Sequence, residues 1–330
     1  MPQTTHRGRS FAFAALLLAL ISCDGESPAP APARVPVYAV EVCAAPFEAP
    51  LADGEGRSPC VALGATRDTS TEEWPDLDRL PDGVTRRDPV RYVRPGASGD
   101  GSRASPFGSV SQALASLGAT GGTLALTRGE HSVTEPLTVR GAVTVIGVGA
   151  ASTTLSARTT GALWSITGTD ATLALARVRV TEPMPASRSA ITLTGGASVR
   201  LDDVRLDGFE DAVSLNGSRL EATRLTIARA RRNGLVALAA SEVRLTDFVV
   251  RDGALQGVFL QDSVAQLARG LIASNGRHGL SFTGTPPAGR GVEGCVGDAR
   301  TRPGMIECLD SLALVRNGIA GAFLAGPHVV

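Results

Sequence analysis

VRLDDVRLDGFEDAVSLNGSRLEATRLTIARARRNGLVALAASEVRLTDFVVRDGALQGVFL, Val199 to Leu260, repeats itself. In and around it Ala190, Ala212, Gly234, Gly257, Gly279 and Gly321 each precede a short apolar alternation: ITL, VSL, LVA, VFL, LSF and AFL. The first four steps are about 22 residues and the last is close to two such steps, which one inserted loop explains. A second register runs beside the first. The pairs Val178/Val180, Val204/Leu206, Leu225/Ile227, Phe248/Val250, Gly270/Ile272 and Leu312/Leu314 recur at the same spacing. Each follows another apolar pair, such as Val199/Leu201 or Val243/Leu245, so one repeat holds three short strands.

Alternating apolar residues mark strands with one buried face, and the Gly, Asn and Asp between them mark corners. A leucine-rich repeat shares the period but requires a fixed Leu and Asn ladder, and a sandwich does not keep so constant a period. The pattern predicts an all-β parallel β-helix of about 22 residues per coil, in which each coil buries its inward side chains on the coils above and below.

RYVRPGASGDGSRASPFGSVSQALASL, Arg91 to Leu117, resembles the leading segment of the right-handed parallel β-helix, pectate-lyase-like superfamily, in particular exported bacterial proteins with an N-terminal β-helix domain of unassigned role. There a Tyr-Val strand leads through a Gly/Asp/Ser loop to Pro-Phe, here Pro106-Phe107, and into a short capping helix, here near 110–117. GGTLALTRGEHSV and VTVIGVG resemble the first two coils, so the likeness covers 90–330. It implies the fold. It leaves activity open, because the superfamily spans lyases, hydrolases, epimerases, adhesins and surface proteins.

The N-terminus gives an address. His6, Arg7 and Arg9 precede an apolar run from Phe11 to Ile21, too short to span a bilayer and laid out as a secretory signal peptide over 1–22. Leu20-Ile21-Ser22-Cys23 resembles the bacterial lipobox, which makes Cys23 a lipid-bearing first residue. The Pro/Ala-rich stretch that completes 23–36 reads as a semi-rigid tether. Together these predict an exported protein held by its lipid in the cell envelope, at the outer membrane or the periplasmic face. Cys43, Cys60, Cys295 and Cys308 remain, an even number in a compartment that permits disulfides. Local pairing, 43 with 60 and 295 with 308, is the simplest of the connectivities. Residues 37–89 are Pro/Asp/Gly-rich and read as a small disulfide-stapled spacer.

Candidate chemistry is sparse. Thirty-two basic and 32 acidic residues balance, which argues against nucleic acid as a partner, and every basic residue is arginine, which removes any mechanism that needs lysine. His278, in NGRHGLSF, sits between an Asn-Gly and a glycine. It compares with the Gly-His-Gly of polygalacturonases, but it also occupies the corner position held by Asp211, Asn233, Gln256 and Ala320 in sister coils. Asp202 and Asp203 are the candidate paired carboxylates, for catalysis or an ion. Arg177, Asp203, Arg224, Asp247 and Arg269 share one register position with alternating sign, which predicts a solvated charge ladder. All four asparagines precede glycine, as expected of corners with positive φ. The insertion 283–308 carries Arg290, Arg300 and Arg302 as candidate ligand contacts. No metal site is expected, since no cysteine lies in a tight Cys-x-x-Cys.

These observations favour a non-catalytic protein that binds polysaccharide or an envelope partner, without a cofactor. The alternative is a carbohydrate-active enzyme, a polysaccharide lyase or glycoside hydrolase, with calcium as cofactor in the lyase case. The anchor is directly testable. Cys23→Ser is expected to abolish labelling by a fatty-acid probe and to release the protein from membranes on fractionation, and unchanged retention would rule the lipobox out.

Overall fold

Apolar side chains at alternate positions can all be buried only if every strand meets a like strand in the same register. The computed structural model, which describes residues 48–50, 60–66, 71–183, 189–284 and 306–325, solves this by stacking. Ten-residue strands Thr172–Thr181, Ser198–Asp207, Arg219–Ala228, Glu242–Arg251, Val264–Ala273 and Ile306–Val315 lie side by side in one sheet. Shorter strands from Leu137–Val139 to Ala320–Ala325 form the second. Pairing between successive coils is parallel throughout. The result is a parallel β-helix of about 7 turns with about 23 residues per turn.

Register follows the sequence pattern. Val180, Leu206, Ile227, Val250, Ile272 and Leu314 occupy one column, and the first five are buried. Where the repeat offers Gly270 instead of a larger residue, Phe248 of the preceding coil fills the space: a Cβ on Gly270 would lie 2.2 Å from the Phe248 ring. The helix Val110–Leu117 is capped by Ser109, whose Oγ accepts from the Gln112 amide at 3.2 Å. It buries Val110, Ala113, Leu114 and Leu117 against the first coil, as a capping helix should.

Each of the first five long strands is two straight segments joined at one residue in the left-handed region: Arg177, Asp203, Arg224, Asp247 and Arg269, with φ of 56°, 54°, 52°, 53° and 48°. The column expected to be a charge ladder is therefore a column of corners. Left-handed backbone costs a non-glycine residue roughly 1–2 kcal/mol, a cost accepted because the corner must recur where the next coil turns. The Asn-Gly pairs mostly have another reason. Gly217 has φ +59°, but Gly276 is not left-handed; a Cβ there would lie 2.2 Å from the Ala254 carbonyl oxygen, so the position needs space and not a special φ.

Polar side chains also stack. The buried Asn275 accepts from the Gly253 amide at 3.0 Å through Oδ1 and donates through Nδ2 to Asn317 Oδ1 at 3.0 Å. In a parallel column the amides of Asn233 and Gln256 donate to Asp211 and Asn233.

The stretch that reads as a spacer contributes a strap. The antiparallel strands Glu48–Pro50 and Cys60–Ala62 lead into Leu63 to Thr66, which crosses the corner column. Gly64 N donates to Asp247 O at 2.9 Å and Ala65 N to Thr226 Oγ1 at 2.8 Å, while Leu63 packs on Val249 and Leu271. Further on, Arg87 N and O both bond Thr123 Oγ1 at 2.7 Å.

Asn275→Ala leaves the Gly253 amide without its acceptor inside the wall of the helix, while Asn317 Oδ1 keeps the bond from the backbone amide of residue 275 at 3.1 Å. The expected loss is roughly 1–3 kcal/mol, the cost of one stranded group, read from the urea midpoint. A loss below about 0.5 kcal/mol, the level of an ordinary surface substitution, would show that the column does not hold the coils together.

Candidate functional site

The corner column and the segment that crosses it line a half-open cavity of about 370 Å³. Its floor is Arg177, Asp203 and Arg224 from three successive coils, and its wall includes Thr66, Trp74 and Asp76. Trp74 is fixed from two sides. Its ring meets Tyr92 edge-on, with centroids 5.1 Å apart, and the Arg94 guanidinium lies 5.4 Å from its centre. Arg94 is in turn paired with Glu73 at 2.6 Å. The arrangement offers an aromatic surface, guanidinium donors and carboxylate acceptors around a space of ligand size. Composition gave little reason to look for it, since aromatics are scarce. The other tryptophan, Trp164, is completely buried in the core.

Of the two candidate carboxylates Asp203 lines the cavity and Asp202 adjoins it, and both are engaged. Asp203 Oδ1 accepts from Thr66 N at 2.5 Å and Oδ2 from Thr66 Oγ1 at 2.7 Å. Asp203 thus fastens the strap. Asp202 lies off the cavity lining and pairs with Arg224. Burial raises its pKa above the ordinary aspartate value, the Arg224 guanidinium pulls it partly back, and the charge of Asp203 adds to the rise.

The charge ladder stacks as expected but pairs differently. Arg269 bonds Asp247, with Nε to Oδ1 at 2.7 Å, as a ladder requires. Arg224 instead reaches Asp202, Asp203 is taken by Thr66, and Arg177 donates to the Arg79 carbonyl at 3.0 Å. The strap competes for these side chains, and nothing in the repeat announces it.

His278 is on the other sheet, at the start of His278–Thr283. Its carbonyl accepts from Gly257 N at 2.9 Å, as Gln256 O accepts from Gly234 N and Asn233 O from Ala212 N. It therefore stands in the corner column inferred from the repeat. Its ring stacks on Phe323, with centroids 4.9 Å apart, and its buried Nδ1 has no hydrogen-bond partner. The structure does not bring it together with Asp202 and Asp203, which sit at a corner of the other sheet several coils away. Cys23, Cys43, Cys295, Arg290, Arg300 and Arg302 lie outside the described residues, and so do both inferred disulfides. Among the described residues no three His, Cys, Asp or Glu side chains are grouped to hold a metal ion.

No protein-family model matches the chain, and no curated protein matches it. Among solved structures the chain is similar to the A-module of a mannuronan C-5 epimerase from Azotobacter vinelandii, at 14% identity and a TM-score of 0.22, covering 71% of this chain and 96% of that one. Overlap at that level says nothing about shared chemistry.

The upward shift at Asp202 has a definite sign in stability. The folded protein takes up a proton there at a pH where the unfolded chain has not. The contribution of Asp202 is therefore most favourable below the ordinary value of 3.8, declines as pH rises through the folded value, and is level beyond it. The difference in urea midpoint between wild type and Asp202→Asn is expected to follow that course, shifting against the wild type as pH rises. A difference that does not vary with pH across this interval would show that Asp202 is not perturbed.

Proposed function

We propose that this is an exported, lipid-anchored protein of the bacterial cell envelope that binds polysaccharide through its β-helix without modifying it. The observation that carries the binding reading is the cavity at the corner column, where the braced Trp74 faces a space floored by Arg177 and Arg224. Sugars are held by ring stacking on flat aromatic groups together with planar donors and acceptors that match hydroxyl pairs, and this site supplies both. Lipid at Cys23 and the Pro/Ala tether would keep such a domain at the membrane with reach into the surrounding glycan.

The non-catalytic half of the proposal rests on Asp203. A lyase or hydrolase of this fold needs carboxylates free to exchange protons with substrate or to hold calcium. Asp203 spends both oxygens on Thr66, and Asp202 is paired behind it. Releasing Asp203 would break both its bonds to Thr66, and releasing Asp202 would leave Arg224 without its carboxylate.

A glycan array followed by calorimetry on the best ligand tests both halves. Trp74→Ala is expected to weaken binding at least tenfold, about 1.4 kcal/mol, with Trp74→Phe recovering part of it. Assays for new reducing ends and for unsaturated uronates should stay at background with the same glycan. Product formation that Asp202→Asn removes would make the protein an enzyme, and unaltered affinity in Trp74→Ala would move the binding site elsewhere.

A further inference from the structure

Beyond the cavity, the outward face of the same strands holds an unbalanced cluster of charge. Arg179 and Arg205 are direct neighbours in register on adjacent parallel strands, an arrangement that is repulsive by itself. Between them Asp207 is completely buried, and its Oδ2 accepts from Arg179 at 3.0 Å, Arg205 at 3.3 Å and Arg229 at 2.5 Å. Three consecutive coils thus send one guanidinium each to a single carboxylate. Elsewhere on the coils a carboxylate holds fewer, as Glu221 holds Arg200 and Glu242 holds Arg219 and Arg244. Asp207 sets one negative charge against these three positive ones, and Glu182, whose amide donates to the Asp207 carbonyl, is paired with Arg231.

Because every basic residue in the chain is arginine, residue type carries no information here. Placement does. The three side chains are 36%, 21% and 58% exposed, so they are anchored at one end and open to solvent at the other. Arg251 follows two coils on in the column of Asp207, where it pairs with Asp252 at 2.6 Å. Burial lowers the proton affinity of Arg205 most; the Asp207 charge works the other way, and Arg179 and Arg251 add to the lowering, so these charges bear on one spot. An anion there would relieve the repulsion, and guanidinium forks match the paired oxygens of a carboxylate or sulfate.

We infer that the face formed by Arg179, Arg205 and Arg229 around Asp207 is an oxyanion-binding site, and that the polysaccharide is an acidic one carrying uronate carboxylates or sulfate esters. The choice of polymer rests on the binding function proposed above; the oxyanion site does not. Arg179 is the next outward residue after Arg177 of the cavity floor on the same strand, so the charged face continues from the cavity rim. Coils are spaced about 4.8 Å apart, so a chain lying along the axis meets a new guanidinium at each step.

The test uses the full-length chain and three probes: inorganic sulfate, tetragalacturonate and its carboxyl-reduced neutral counterpart. The Nε–H signals of Arg179, Arg205 and Arg229 are followed by NMR, and affinity by calorimetry at low and high salt. Tetragalacturonate is expected to shift these signals, to bind at least tenfold more tightly than the neutral counterpart, and to weaken as salt is raised. Arg179→Gln/Arg229→Gln, which keeps Arg205 on Asp207, should lose at least tenfold in affinity. Arg219→Gln, on a separate ion pair with Glu242, should lose none. Should the double variant fail to fold, the wild-type titration decides alone. Shifts with sulfate but with neither sugar would uphold the oxyanion site and overturn the acidic polysaccharide. Binding of the neutral sugar with no shift from either anion would overturn the oxyanion site and leave the binding function standing. No shift from sulfate or tetragalacturonate, with no sugar bound, would overturn both.

Discussion

Every coil must cover the apolar face of its neighbour at strand spacing, and that requirement governs the rest of the molecule. A coil one residue out of step would turn its inward side chains to solvent, so the corners have to recur at one place in every turn. This is why residues as ill suited to left-handed backbone as arginine occupy the central corner, at Arg177, Arg224 and Arg269. The favourable burial of a column such as Val180, Leu206, Ile227 and Val250, roughly 1.5–3 kcal/mol for each side chain, exceeds the local backbone cost.

Stacking in register also puts like polar groups beside like. Columns of asparagine turn that to advantage, because an amide side chain donates and accepts at once and can bond its copy in the next coil. Arginines cannot, since they only donate. Where they fall together, as at Arg179 and Arg205, a buried carboxylate is needed to hold them, and one carboxylate does not neutralise three cations. The repeat therefore generates a charged face as a by-product of its geometry, and a polyanion running along the axis is the partner that geometry suits.

The strap gives the molecule its asymmetry. Coils alone would present a corner column continuous along the axis, but Thr66 takes Asp203, Leu63 covers Val249, and Trp74 closes a cavity over Arg177 and Arg224. A site at one place on a repetitive scaffold needs something that is not repeated, and here it comes from the chain ahead of the helix.

The architecture was legible in the sequence because it is periodic. Burial demands alternation within each strand and return at each coil, so both show as patterns in the letters, and the capping helix shows as an amphipathic run after Pro106-Phe107. The position of His278 in a corner column and the alignment of Arg177, Asp203, Arg224, Asp247 and Arg269 follow from the same counting. Which side chain bonds which was decided by the tertiary structure. Thr66 and Asp203 are 137 residues apart, with no repeat relation to link them, and both line the cavity. Neither the need of Gly276 for space nor the convergence on Asp207 could be counted out either. Both depend on how closely neighbouring coils approach in three dimensions, a distance set by the packing of every side chain between them.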